Sequence, residues 1–255
     1  MSSTFNKLRW SMQHRGVRGT LQAVAKSIGR KLKPPPPRVL HPFDLEHGTD
    51  TGGLIPGGDL VFGHPSDVFI EGYAAVPPAR FRAMVARWQK SGTPHPLAEY
   101  TFVDLGCGKG RAVLLASELG FRDVVGVELS PLLTAIARTN VARWIADGKG
   151  FSPIRIEQAD AADFVWPAGP CVVFLFNPFG AVVLKRVVER MIAHFRDTPD
   201  DLDILYYKPE QAAVFREGFD QLWCEAIPIP GEELAADRAA APDDEACAYR
   251  LRVAA

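Results

Sequence analysis

Phe102-Val103-Asp104-Leu105-Gly106-Cys107-Gly108-Lys109-Gly110-Arg111 passes from an apolar, strand-like segment into three alternating glycines and out toward a helix-forming run. Glycines at every second position let the backbone turn tightly and approach a ligand without side-chain interference. The segment from Arg111 to Glu118 reads as a helix whose unpaired amides and positive dipole end face that turn, a geometry suited to a carboxylate or phosphate. Spacing separates the ways such a turn is used. A phosphate-binding loop needs GxxxxGK[ST], but Lys109 here is flanked directly by Gly108 and Gly110. A dinucleotide fingerprint needs GxGxxG, and Gly106-x-Gly108-x-Gly110 is one residue tighter.

Working outward, Val124-Val125-Gly126-Val127-Glu128 is a β-branched run that ends in an acid. A carboxylate at the end of the second strand of a doubly wound sheet can take both hydroxyls of a ribose. Ser130 and Pro131 then suit the N-cap and first turn of a helix carrying Leu133, Ile136, Val141, Trp144 and Ile145. A third strand, Ile154–Glu157, leads into Asp160-Ala161-Ala162-Asp163. The continuous apolar run 171–176 has the character of a central strand covered on both faces, and Asn177-Pro178-Phe179-Gly180 follows it. A helical stripe (Val183, Leu184, Val187, Val188, Met191, Ile192 and Phe195) and a fifth strand, Leu202–Tyr207, come next. A short helix at Gln211–Phe215 precedes two final strands, Trp223–Ile229 and Ala248–Val253, read as an antiparallel hairpin.

The aspartate-initiated triple-glycine turn resembles that of class I S-adenosylmethionine-dependent methyltransferases, and the resemblance extends from Leu97 to the C-terminus. It implies an α/β fold: a doubly wound, Rossmann-like, mostly parallel seven-stranded sheet with a C-terminal antiparallel hairpin and an N-terminal helical extension. It implies S-adenosyl-L-methionine as cofactor. Asp104 would accept from the methionyl amine, Gly106, Cys107, Gly108 and Gly110 would form the turn, and Glu128 with Leu129 would meet the ribose. Asp160 with Ala161 would meet the adenine, with Asp163 as the fallback and helix capping an equal role for either acid. Asn177-Pro178-Phe179 is similar to the [D/N]-P-P-[Y/F] motif of amino-methyltransferases, with one proline fewer. On that likeness Asn177 is the expected catalytic residue, aiming the lone pair of a nitrogen acceptor while also touching the cofactor. Pro178 and Phe179 would pack on the substrate.

Three parts follow: a basic arm with a proline-rich spacer (1–40), a lid and helical segment (41–96), and the methyltransferase domain (97–255). The second part is rich in turn residues. Its Tyr73-Ala74-Ala75-Val76-Pro77 loosely resembles a Tyr-x-Pro-[Ser/Thr] loop that folds over the cofactor in some relatives, so Tyr73 is either a pocket lid or packing. Phe81, Met84, Val85 and Trp88 mark a helix behind it. The acids of 231–246, which include Glu232, Glu233, Asp237 and Asp244, form either a rim for a cationic substrate or a solvated loop.

The formal net charge of −1 conceals an asymmetry. Residues 1–40 hold nine basic residues and no acid, leaving 20 basic and 30 acidic residues, a formal charge of −10, in 41–255. Leu21, Val24, Ala25, Ile28 and Leu32 share a helical face ahead of Pro34-Pro35-Pro36-Pro37. This pattern suits an arm for anionic lipid, an arm for nucleic acid, a cleaved presequence or a plain basic tail, in each case separate from the main core. No apolar run is long enough to span a membrane. Cys107, Cys171, Cys224 and Cys247 lack zinc spacing and read as reduced thiols, with Cys224 and Cys247 facing each other across the last hairpin as the alternative, so the expected location is cytoplasmic, or peripheral at a membrane through the arm. The six histidines form no cluster, and His64 is the one weighed as a base; no carboxylate pair has metal spacing. Transfer of methyl to a nitrogen of a protein, nucleic acid or small molecule is the expected activity. An O-methyltransferase, an NAD-linked oxidoreductase and a non-catalytic cofactor-binding module are the alternatives.

Overall fold

The computed structural model describes residues 3–31, 41–237 and 239–252, the side chains of 3–6, 14 and 23–31 excepted. In chain order the elements are α1 (Ser3–Lys31), α2 (Pro42–His47), α3 (Gly57–Leu60), α4 (Pro78–Gln89), β1 (Thr101–Leu105), α5 (Arg111–Ser117), β2 (Asp123–Glu128) and α6 (Pro131–Ala146). They are followed by β3 (Ile154–Gln158), β4 (Cys171–Phe176), α7 (Ala181–Phe195), β5 (Leu202–Tyr207), β6 (Phe219–Ala226), α8 (Gly231–Ala236) and β7 (Glu245–Leu251). The seven strands form one sheet in the order β3-β2-β1-β4-β5-β7-β6, as expected of this fold class. The first five are parallel, and β7 runs antiparallel between β5 and β6. Strand order reverses between β1 and β4, which opens a crevice at their carboxyl ends, the place where open α/β sheets bind ligands.

Alternation along each strand divides the core into two layers. Phe102, Phe174 and Leu205 pack against α4, α5 and α6, where Phe81, Met84, Trp88, Leu115 and Trp144 are buried. Val103, Val173 and Ile204 face α7, whose Val183, Val187, Met191 and Phe195 fill the other layer. Trp88 Nε1 donates to fully buried Asp203 at 2.8 Å, and the Arg250 guanidinium pairs with both oxygens of the same carboxylate. The fifth strand and the terminal hairpin are thereby tied to α4.

Three expectations change. The hairpin strands lie nearer the N-terminus than their residue pattern indicated: β6 runs over Phe219–Ala226 because Phe219 pairs with Leu251, and it ends before Pro228. Cys224 and Cys247, expected as reduced thiols, are opposed in register on β6 and β7 and joined as a disulfide. Cys107 and Cys171 stay free and buried.

The third change concerns the arm, which is not wholly separate from the body. Trp10 is buried, its ring stands against Gly57 and Gly58, and its Nε1 donates to the Ile70 carbonyl at 3.1 Å. Gly16, at φ 64°, kinks α1, and Thr20 beyond the kink donates to Ser11 before it at 3.1 Å. The proposed Pro34–Pro37 spacer and Leu32 lie outside the described residues, as do the side chains of Val24, Ala25 and Ile28. No described helix is long and apolar enough to cross a membrane.

Candidate active site

The glycine turn closes on the end of β2. Gly106 N and Cys107 N both donate to the Val127 carbonyl, at 2.8 and 3.0 Å, and Gly110 N to the Cys107 carbonyl at 2.8 Å. Gly106, Gly108 and Gly110 all have positive φ, and Gly110 is the N-cap of α5. A Cβ on Gly106 would stand 2.5 Å from Pro178 Cβ, and one on Gly108 would overlap the Tyr73 ring. The side-chain-free backbone therefore also admits protein neighbours: the residue after Asn177 and the aromatic of the lid.

A cavity lies along the crevice, with about 900 Å³ of empty space when the open solvent at its mouth is counted. Asp104, Gly106, Cys107, Gly108, Glu128, Leu129, Asp160, Ala161, Pro178, Phe179 and Tyr73 all line it. Gly110 sits behind the turn as the helix cap, and Asn177 and Asp163 are not on the wall. The expected cofactor residues from β1, β2 and the loop after β3 thus meet at one cavity.

Asp104 is almost fully buried, and no hydrogen bond reaches its carboxylate from a described residue. Burial, with Glu128 nearby, holds its pKa well above the usual carboxylate range. Glu128 is raised too, again by burial, but its oxygens are anchored: Oε2 accepts from Gly108 N at 2.9 Å and Oε1 from Ser130 N at 2.8 Å. Those bonds hold the glycine turn and the start of α6 in fixed relation. Asp160 caps its own loop through Ala162 N, at 2.9 Å, and accepts from Ser66 Oγ at 2.5 Å. It therefore both caps and faces the cavity.

Residues 49–76 cover the site. The backbone of Ile55 bridges Tyr73, and Ile70 bridges Phe179 at the end of β4. Tyr73 donates to the Thr51 carbonyl at 2.5 Å while its ring lies on Gly108, and burial raises its phenol far above the ordinary value. It is thus both lid and packing. The two cations of the glycine motif act as clamps: Lys109 lies off the cavity wall, and Arg111 lines it with its guanidinium held by other residues. Lys109 Nζ reaches Asp50 at 2.9 Å and the Gly52 carbonyl at 2.8 Å. Arg111 bonds Thr51 Oγ1 at 2.8 Å and Asp237 at 2.9 Å, while Asp237 also meets His41 at 3.1 Å. The sequence reading assigned no role to Lys109, Arg111 or Ser66 and took Asp237 for part of a substrate rim or solvated loop, although a motif written Gly-Lys-Gly-Arg carries two cations a ligand turn does not require.

The acidic loop is solvated only in part: Glu232, Asp243 and Glu245 are exposed, none of its six acids lines the cavity, and the other three are engaged. Glu233 accepts from Ala79 N at the start of α4, Asp237 is buried on Arg111, and Asp244 binds Arg80 and Lys208. These acids brace the domain. His64 caps the turn at Pro65–Phe69 by accepting from Ser66 N, and it is not on the cavity wall. Asn177 has φ 43°, and its Oδ1 accepts from Tyr206 Oη at 3.2 Å. Gln211 N in turn donates to Tyr206 Oη at 3.3 Å.

Residues 102–198 match a family model described as a methyltransferase domain. The matched stretch runs from β1 through α7 and holds the glycine turn, Glu128, Asp160 and Asn177. Among solved structures, the chain is similar to the glycopeptide N-methyltransferase MtfA, at 15% identity over 71% of this chain and 92% of that one, with a TM-score of 0.51. Magnesium protoporphyrin IX methyltransferase ChlM from Synechocystis PCC 6803 shares 13% identity over 68% of this chain and 78% of that one (TM-score 0.45). Ribosomal protein L11 methylase from Lactobacillus delbrueckii subsp. bulgaricus shares 16% over 69% and 78% (TM-score 0.44). Such identities speak for the fold alone. Comparison with curated protein sequences finds no match.

Proposed function

We propose that the cavity binds S-adenosyl-L-methionine and that this methyltransferase transfers its methyl group to an amine nitrogen. The observation that carries the reading is the acid-rich wall. Glu71, Asp104, Glu128 and Asp160 line the cavity, and the lining cation Arg111 is already spent on Asp237. A carboxylate buried without a donor is costly, and a cationic ligand that hydrogen-bonds to it offsets the cost. Asp104 fits the ammonium of the cofactor, Glu128 the ribose hydroxyls through its remaining lone pairs, and Asp160 with Ala161 the adenine edge.

When bound, the sulfonium supplies an activated methyl, transferred as a C–N bond forms and the C–S bond breaks, after which the nitrogen sheds a proton. The chain's own work is alignment and exclusion of water. Tyr73 and the bridge from Ile70 to Phe179 close the crevice, and Pro178 and Phe179 wall the acceptor side. No histidine lines the cavity among the described residues, which favours an acceptor with its own lone pair over a hydroxyl needing a base. The same acid-rich wall suits an amine that arrives as a cation and passes one proton to a wall carboxylate or to solvent, which frees the lone pair before attack. Asn177 lies off the wall beside the lining residue Pro178, with its Oδ1 on Tyr206 Oη; in this reading that oxygen turns to accept from the nitrogen when the acceptor binds. The division into an arm (1–40), a lid (41–96) and a transfer domain (97–255) accompanies this reading.

Titration calorimetry tests it. S-adenosylhomocysteine binds the wild-type chain in the micromolar range, NADH does not bind, and Asp104→Ala weakens the first by tenfold or more. Equal affinity of wild type and variant removes the assignment.

A further inference from the structure

The outer face of α1 has no role in the site. Beyond the Gly16 kink, Val17 and Leu21 are 64% and 65% exposed, and before it Leu8 and Met12 are 44% and 50% exposed. Val17 and Leu21, four residues apart, lie one above the other on the same face of the helix. Arg15 and Arg18 lie close to Val17 in the chain, and the first 40 residues hold nine basic residues and no acid. An apolar stripe among cationic residues is the pattern of a helix lying in a lipid interface, its basic side chains reaching the headgroups.

We propose that α1 is an interfacial anchor for an anionic bilayer. The apolar stripe chooses among occupants. Phosphates of a nucleic acid gain nothing from four exposed apolar side chains, and a second copy of this helix would bring like charges together. A bilayer with anionic headgroups satisfies both faces at once.

The anchor is joined to the lid. Trp10 donates to the Ile70 carbonyl, and Ile70 lines the cavity. A membrane holding α1 therefore holds the lid beside it, and an acceptor dissolved in or docked at that surface would meet the crevice. This last consequence rests on the proposed transfer activity; the anchoring does not.

Flotation of the full chain with phosphatidylglycerol/phosphatidylcholine vesicles, compared with phosphatidylcholine alone, tests the anchor without reading activity. Wild type is expected to float with the anionic vesicles in a salt-sensitive manner. Val17→Asp/Leu21→Asp, which touches no cavity residue, should lower the partition coefficient about a hundredfold at unchanged thermal stability, from the apolar burial lost. Failure of the wild type to bind anionic vesicles overturns the proposal, and so does equal binding by the double variant. Binding to duplex DNA alone, or self-association without vesicle binding, overturns it in favour of those partners.

Discussion

Asp104→Asn should move stability and cofactor affinity in opposite directions. In the ligand-free protein Asp104 is buried, without a hydrogen-bond donor among the described residues and near a second raised acid, Glu128. A buried polar group left unsatisfied costs about 1–3 kcal/mol, more when charged. Asparagine keeps the shape and removes the charge, so the ligand-free variant should gain stability of that order near neutral pH. The sign of the pH dependence follows from the raised pKa. The folded acid retains its proton where the unfolded one has released it, so the wild type loses stability as pH climbs from the unfolded value toward the folded one. The advantage of asparagine is therefore absent below about pH 4 and grows toward pH 8. Affinity moves the other way. A charge-assisted bond to the cofactor amine is worth about 1.5–3 kcal/mol, roughly a tenfold to hundredfold loss of S-adenosylhomocysteine binding. Urea unfolding at pH 5 and pH 8, with calorimetric titration of the ligand at pH 8, measures both. A variant destabilised equally at the two pH values, or one that binds the ligand as well as wild type, refutes the reasoning.

Glu128→Ala should destabilise the fold as well as the complex, by about 2 kcal/mol or more in urea titrations, because it orphans the amides of Gly108 and Ser130. Gly108→Ala should displace Tyr73 and strain a residue at φ 57°; a calorimetric affinity equal to wild type would show that the ring is no part of the closed site. If Asn177 orients the acceptor, Asn177→Ala lowers kcat by roughly 10²-fold, about 2.7 kcal/mol, while S-adenosylhomocysteine affinity holds, and Tyr206→Phe follows in the same direction. A loss confined to affinity would make Asn177 a cofactor ligand. Removal of residues 1–38 should leave the seven-stranded domain folded by circular dichroism. Losing the Trp10 bond to Ile70 should loosen the lid and weaken ligand binding severalfold.

The parts legible beforehand are those written in local pattern. Period-two burial, helical stripes and the glycine turn are properties of a few neighbouring residues, so strand order in the chain and the convergence of Asp104, Gly108, Glu128 and Asp160 could be anticipated. Pairings between distant residues were not visible in the same way. Arg111 and Asp237 are 126 positions apart, Lys109 and Asp50 are 59, and no spacing rule links them. Cys224 and Cys247 were placed across a hairpin, but whether they meet depends on register, which a bulge between Gln221 and Trp223 shifts.

The sequence by itself determined the fold class, the site's address at the carboxyl ends of β1 and β2, and the charge asymmetry of the first 40 residues. Each follows from covalent neighbours and their periodicity. The tertiary structure alone decided what the side chains do there. It set Lys109 and Arg111 of the glycine turn on Asp50, Thr51 and Asp237 and made braces of Glu233, Asp237 and Asp244. It turned Asn177 toward Tyr206 and seated Trp10 on the cover of the cavity. A side chain's partner is whatever the packed chain brings within about 3 Å, and chain distance carries no record of that contact.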